Sequence, residues 1–127
     1  MGYDINIYYH SKADKYLKKM TQNERNKMLE LINSRVKGYI EEHDGRYIFQ
    51  SAHFRKIGDF DSTIFYLKIN QRERAILSID EDHIFEKTIV NVFAICNHEK
   101  LNTEIKGIME SLYQKMINDE SYDEEDA

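Results

Sequence analysis

Hydrophobic residues of this chain follow first the period of two of a strand and then the period of about 3.6 of a helix. The order of these two patterns constrains the fold most. Apolar and polar residues alternate over Tyr3–Tyr9, which is typical of a strand with one buried face. Apolar residues then recur at helical spacing over Ser11–Met20 and again over Thr21–Glu42. Ser11 is the predicted cap of the first helix, and Thr21 opens the second with the spacing of a capping box. The chain therefore begins as a strand followed by a two-helix hairpin.

The middle of the chain is rich in strand-forming residues. Tyr47–Cys96 contains several short β-type segments, with a break near Ser51 and an acidic turn at Asp80–His83. Leu101–Met116 then carries one apolar stripe at helical spacing. Strand, helical hairpin, antiparallel meander and C-terminal helix together predict an α+β fold, in which the sheet buries one face against the helices.

Charge divides the chain into a body and a tail. The whole chain carries 18 Lys and Arg against 23 Asp and Glu, a net charge of −5. Residues 118–127 hold six of the acids and no base, so the rest has 18 − 17 = +1. We therefore expect a single domain over residues 1–117 and a disordered acidic tail over 118–127. A body that is close to neutral does not have the charge of a strongly basic nucleic-acid binder.

Other features of the composition exclude several classes of protein. The single cysteine, Cys96, lies in an apolar segment and is predicted to be a core thiol that forms no internal disulfide. The five histidines have no metal-ligand spacing, so neither a metal nor another cofactor is expected. Glycine-rich phosphate loops and hydrolase signatures are absent from the sequence. Without a leader-type start or a long apolar run, the expected location is the cytoplasm, with no membrane partner.

The chemistry that the sequence does offer is a group of cationic and imidazole side chains along the predicted meander. Such residues can hold a phosphodiester, stabilise its developing charge and move a proton. The alternative is that they are ordinary solvated side chains on the open face of a sheet. The group consists of His53, Arg55, Lys56, Lys68, His98 and Lys100.

Three segments resemble the RelE/ParE superfamily of bacterial toxins, which belong to type II toxin–antitoxin systems. The opening Asp4–Met28 resembles the strand of that family and the two helices that follow it. Phe54–Ile57, leading into Ile64–Leu67, is similar to its paired strands. Val92–Lys100 is similar to its last strand, which ends in a basic pair. The resemblance covers residues 3–116.

The resemblance implies a function and a set of partners. RelE-type members are endoribonucleases that cut messenger RNA, typically on the ribosome, without a metal; ParE-type members poison gyrase. A cognate antitoxin protein blocks either activity. Arg55 and Lys56 match basic positions of the first meander strand, and His98 matches the position that closes the last one. Glu99 stands where many members have arginine, and Lys100 is the candidate replacement.

Two classes of function therefore remain open. In the first, the chain is a metal-independent messenger-RNA endoribonuclease with His98, Arg55 and Lys56 as catalytic residues. In the second, the same fold is a non-catalytic module, a phage- or plasmid-type inhibitor or a lapsed toxin, that binds a basic protein through its nine tyrosines and its acidic tail. The nuclease requires Arg55 and His98 to lie close together. In the nuclease, RNA would also contact His53, Lys68 and Lys100.

Overall fold

The structure is a computed structural model that describes the backbone of residues 4–55 and 61–126, and the side chains of residues 4–51 and 63–115. Three helices and one mixed five-stranded sheet form the fold, which confirms the predicted α+β class. The elements are β1 (Asp4–Tyr9), α1 (Ser11–Lys18), α2 (Gln22–Glu42), β2 (Ile48–Arg55), β3 (Asp61–Lys68), β4 (Glu73–Asp82), β5 (Lys87–Asn97), a 3₁₀ turn (His98–Lys100) and α3 (Leu101–Asp126).

The strands lie in the order β1-β5-β4-β3-β2. The meander from β2 to β5 is antiparallel, as predicted, and β1 pairs with β5 in parallel. Strand β5 consequently has a neighbour on both sides and packs against helices on both faces. This position explains why it is the most continuously apolar segment of the chain.

Alternate residues of the strands supply two hydrophobic cores. One face of the sheet, with Leu67, Leu77 and Val92, packs against residues of α1 and α2 such as Ile32. The opposite face packs against α3 through a second cluster: Ile64, Ile76, Ala94, Cys96, Ile105 and Ile108. Cys96 is 7 % exposed, which confirms its prediction as a core thiol. Helices thus cover both faces of the sheet, and α3 covers the face that carries Ile64 and Ile76.

Most predicted boundaries agree with the structure, and two local predictions were wrong. Thr21 caps α2 by accepting a hydrogen bond from the backbone nitrogen of Glu24. The cap residue of α1 is His10 instead of Ser11, because His10 is the last extended residue and the helix already begins at Ser11. Asp80–Asp82 belongs to β4, and the turn falls at residues 83–86, where Glu86 has a φ of 53°.

Helix α3 is longer than its apolar stripe predicts. Its backbone is helical to Asp126, across most of the segment predicted to be a disordered tail. The chain has no proline, and no glycine follows Gly107, so the two residues that most strongly end a helix are absent from this segment. Neither this helix nor any other in the described ranges has the length and apolar character that a membrane crossing requires.

Candidate nucleic-acid interface

Three strand ends meet at one end of the sheet. Lys68 at the end of β3 lies opposite Arg74 of β4, and Glu73 lies opposite Asn97 at the end of β5. The 3₁₀ turn that follows β5 adds His98 and Lys100 to the same end. We call residues 68–74 and 97–100 the cationic end.

The sheet is electrically polarised along its strands. The cationic end contains four basic residues (Lys68, Arg72, Arg74, Lys100) and two acidic ones (Glu73, Glu99), so its net charge is 4 − 2 = +2. Residues 80–87, at the opposite end, contain four acids and one base, a net charge of 1 − 4 = −3. The overall charge of −5 hides this separation, because a sum over the chain carries no information about position.

Hydrogen bonds from the Asn70 and Arg74 side chains to the backbone fix the turn between β3 and β4. The Asn70 side-chain oxygen accepts from the backbone nitrogens of Arg72 (2.9 Å) and Glu73 (2.8 Å). The Arg74 guanidinium donates to the backbone oxygen of Asn70 at 2.7 Å. An asparagine that binds the backbone two and three residues on is a common way to hold a tight turn. The backbone that carries the cations is therefore held in place by the side chains of Asn70 and Arg74.

Two side chains tie this turn to the helices. Arg35 of α2 donates to the backbone oxygens of Lys68 and Ile69, and its guanidinium lies 3.9 Å from the centre of the Tyr47 ring. Tyr16 of α1 donates its hydroxyl hydrogen to the Glu73 carboxylate. Burial, and then this bond to a carboxylate, raise the pKa of Tyr16, so its hydroxyl stays protonated. The cationic end is thus attached to both helices of the hairpin.

His98 is exposed and held from one side. Its backbone nitrogen donates to the Arg72 oxygen at 2.7 Å, and its ring Nδ1 lies 3.3 Å from that same oxygen. A carbonyl oxygen can only accept, so this contact places the hydrogen on Nδ1. The other ring nitrogen, Nε2, can then accept a proton from a ligand or, in the charged ring, donate one. The geometry is that of an imidazole available for proton transfer.

Lys68 and Arg74 form a pair of like charges in directly opposite positions. Such pairs destabilise a sheet, and an anion between them would remove the repulsion. Both residues lie on the face that α3 covers, since Arg74 alternates with Ile76 of the α3 core. Burial raises the pKa of the neighbouring Cys96 thiol to about 11, while the charges of Arg74 and Lys100 oppose that rise.

The register places Arg55 at the other end of the sheet. Ile48, the first residue of β2, lies opposite Leu67, whereas Arg55 lies opposite Asp61. Strand β3 runs from Asp61 to Lys68, and seven residue steps of about 3.3 Å separate these levels by about 23 Å. This exceeds the combined length of an arginine and a histidine side chain, so one phosphate cannot contact both Arg55 and His98.

The other predicted residues divide in the same way. His53 lies opposite Thr63, nearer to Arg55 than to the cationic end, and Lys56 lies outside the described residues. Lys68, His98 and Lys100 lie at the same end of the sheet, at the end of β3 and just after β5. Arg72 and Arg74 were not predicted as site residues. The predicted antiparallel meander was the available signal, because it places the β3–β4 connection at the same end of the sheet as the end of β5.

A separate groove of about 1010 Å³ lies between the start of α1 and α3. Its polar wall includes His10, whose Nε2 lies 2.9 Å from the Asn91 side-chain oxygen and whose ring lies 4.9 Å from that of Phe93. Lys12, also in the wall, pairs with Glu104 at 2.8 Å. The groove shares no residue with the cationic end.

The chain matches no protein-family model, no curated protein and no solved structure. Within the described residues, His, Cys, Asp and Glu form no group of three or more that could hold a metal ion. The fold and the charge distribution therefore carry the functional argument.

Proposed function

We propose that this chain is a cytoplasmic toxin of the RelE type that binds messenger RNA through the cationic end and cuts it without a metal. The observation that carries the proposal is that Lys68, Arg74 and Lys100 lie at the same end of the sheet as the exposed His98, and that this end is the positive one. Contact with an RNA backbone is dominated by neutralisation of phosphates, and a local excess of positive charge serves that purpose.

The reaction is an internal transesterification of the RNA chain. The ribose 2′-oxygen attacks the adjacent phosphorus and loses its proton to solvent, so the bond from phosphorus to the 5′-oxygen breaks. His98, in its charged form, gives the proton from Nε2 to the departing 5′-oxygen. Lys68 and Arg74 stabilise the extra negative charge on the phosphate oxygens. The products are a 2′,3′-cyclic phosphate and a 5′-hydroxyl.

The nuclease as predicted, with Arg55 close to His98, does not fit this register, which puts Arg55 about 23 Å from the level of Lys68. The proposal is therefore a different site on the same fold, which keeps His98 and takes Lys68 and Arg74 in place of Lys56 and Arg55. Lys100 keeps its predicted role as an RNA contact. The resemblance to RelE-type toxins adds two partners to the proposal, the ribosome and a cognate antitoxin protein.

Induced expression and RNA cleavage test the proposal together. We expect induction to stop growth, and the purified chain, treated with EDTA and dialysed beforehand, to cut a 5′-labelled messenger RNA when ribosomes in magnesium buffer are added. His98→Ala should lower the cleavage rate by about 10²- to 10⁴-fold, the usual contribution of a general acid. His83→Ala, which removes an exposed imidazole at the acidic end, is the matched control and should leave the rate unchanged. Unaltered cleavage by His98→Ala would show that His98 is not the proton donor.

A second candidate function rests on a different observation. Ile84 and Phe85, in the turn between β4 and β5, are 86 % and 69 % exposed. They project from the acidic end of the sheet, a combination that suits a basic protein partner. In this alternative the chain is a non-catalytic binding module. Induction would then be harmless, and His98→Ala would change nothing.

A further inference from the structure

Beside the cationic end, the face of the sheet that carries α3 presents two aromatic rings. Phe49 of β2 and Tyr66 of β3 occupy opposite positions. Their ring centres are 5.2 Å apart, and the ring planes meet at 28°, so the rings are stacked. Phe49 is 39 % exposed. The buried residues of α3 pack against Ile64, Ile76 and Ala94, away from Phe49 at the β2 edge.

Two cations of the site, Lys68 and Arg74, lie next to the two rings on the same face of the sheet. Tyr66 and Lys68 are alternate residues of β3, so both point to one face with their Cα atoms about 6.6 Å apart. Arg74 lies opposite Lys68, and Ile76 lies opposite Tyr66. An aromatic row and a cationic row therefore adjoin one another. In a nucleotide, the sugar separates the flat base from its phosphate by a distance comparable to that between the Cα atoms of Tyr66 and Lys68.

We propose that the Phe49–Tyr66 pair is a base-binding platform, on which an unpaired RNA base stacks while its phosphate binds Lys68 and Arg74. This inference rests on the proposed function, since it names the class of RNA that the cationic end accepts. Every base has a π-face, and stacking on aromatic side chains is a general mode of binding single strands. Bases in a duplex are already stacked on their neighbours, so the platform selects single-stranded RNA and tolerates different bases.

Binding of a short 2′-O-methyl RNA, which lacks the attacking hydroxyl and cannot be cut, tests the platform without interference from cleavage. Fluorescence anisotropy should show that Phe49→Leu weakens binding about tenfold, within the range measured for loss of one stacked base. Phe85→Leu removes an exposed ring at the other end of the sheet and should have no effect. With an oligonucleotide whose bases are replaced by abasic sites, the wild-type chain and Phe49→Leu should bind equally.

A second variant reports on stacking directly. The chain contains no tryptophan, so Phe49→Trp introduces a single indole into the proposed platform. We expect this variant to bind at least as tightly as the wild type, and its fluorescence to be quenched by the normal RNA but not by the abasic one. If Phe49→Leu loses affinity only because it weakens the β2–β3 pairing, the fluorescence of Phe49→Trp still shows whether a base stacks on this residue.

The outcomes separate this inference from the function on which it rests. Failure of the wild-type chain to bind either oligonucleotide would overturn the proposed function, and the platform with it. Equal binding of the normal and abasic oligonucleotides, with unchanged affinity in Phe49→Leu, would overturn the platform alone. A preference for duplex over single-stranded RNA would also contradict it.

Discussion

At the scale of single residues, Asp80 is an acid in an unfavourable position. It lies in β4 among half-buried residues, and its hydroxyl neighbour Ser78 is 3.4 Å away. Burial raises the pKa of Asp80, and the Ser78 hydrogen bond opposes that rise only in part. Since the folded state then holds this proton more tightly than the unfolded state, ionisation of Asp80 lowers the free energy of unfolding at neutral pH.

Asp80→Asn should therefore stabilise the protein at pH 7. The gain belongs at the low end of the roughly 0.5–2 kcal/mol typical of improved charge placement, since the carboxyl group is only half-buried. The gain should shrink as the pH falls through the raised pKa and be lost below the ordinary value of 3.8, where Asp80 is protonated in both states. Urea unfolding at pH 7 and pH 3 measures it, with the exposed neighbour change Glu81→Gln as control. A gain of equal size at both pH values would contradict this account.

At the scale of elements, Arg35 connects helix α2 to the end of β3. Its guanidinium donates hydrogen bonds to two backbone oxygens and makes a cation–π contact with the Tyr47 ring. Hydrogen bonds from a charged group contribute roughly 1.5–3 kcal/mol, so Arg35→Ala should lower the free energy of unfolding by about 2 kcal/mol. Lys37→Ala, at an exposed position of the same helix, should change it by no more than about 0.5 kcal/mol. Urea unfolding of the two variants checks this, and similar losses in both would remove the special role given to Arg35.

The sequence predicted the helices and strands better than it predicted how the strands bring the site residues together. Period-two alternation and helical spacing identified the strands and helices, and Ser51 marked the irregularity that the structure shows as a register shift between Gln50 and Ala52. The register itself could not be read from the sequence. The predicted antiparallel meander already implied which end of the sheet Arg55 occupies, because the end of β2 lies away from the ends of β3 and β5. Grouping Arg55 with His98 used only the alternation of side chains between faces and left this alternation of strand direction out.

At the scale of the whole molecule, the separation of charge resolves an apparent conflict. A chain with a net charge of −5 should repel RNA, yet the cationic end has a net charge of +2. Strand β4 runs between the two ends, and its eight residue steps from Arg74 to Asp82 span about 26 Å. This is more than twice the Debye length of about 10 Å at 0.1 M salt, so the acidic end is largely screened from a ligand at the cationic end.

The salt dependence of RNA binding tests this separation. If Lys68 and Lys100 each neutralise one phosphate, Lys68→Gln and Lys100→Gln should each reduce the slope of log K against log salt by about 0.7, the value for single strands. Lys87→Gln removes the same charge at the acidic end and should leave the slope unchanged, although it alters the net charge equally. Anisotropy titrations of the 2′-O-methyl RNA over a range of salt concentrations measure all three slopes. Equal reductions in the three variants would mean that RNA responds to total charge instead of to one end of the sheet.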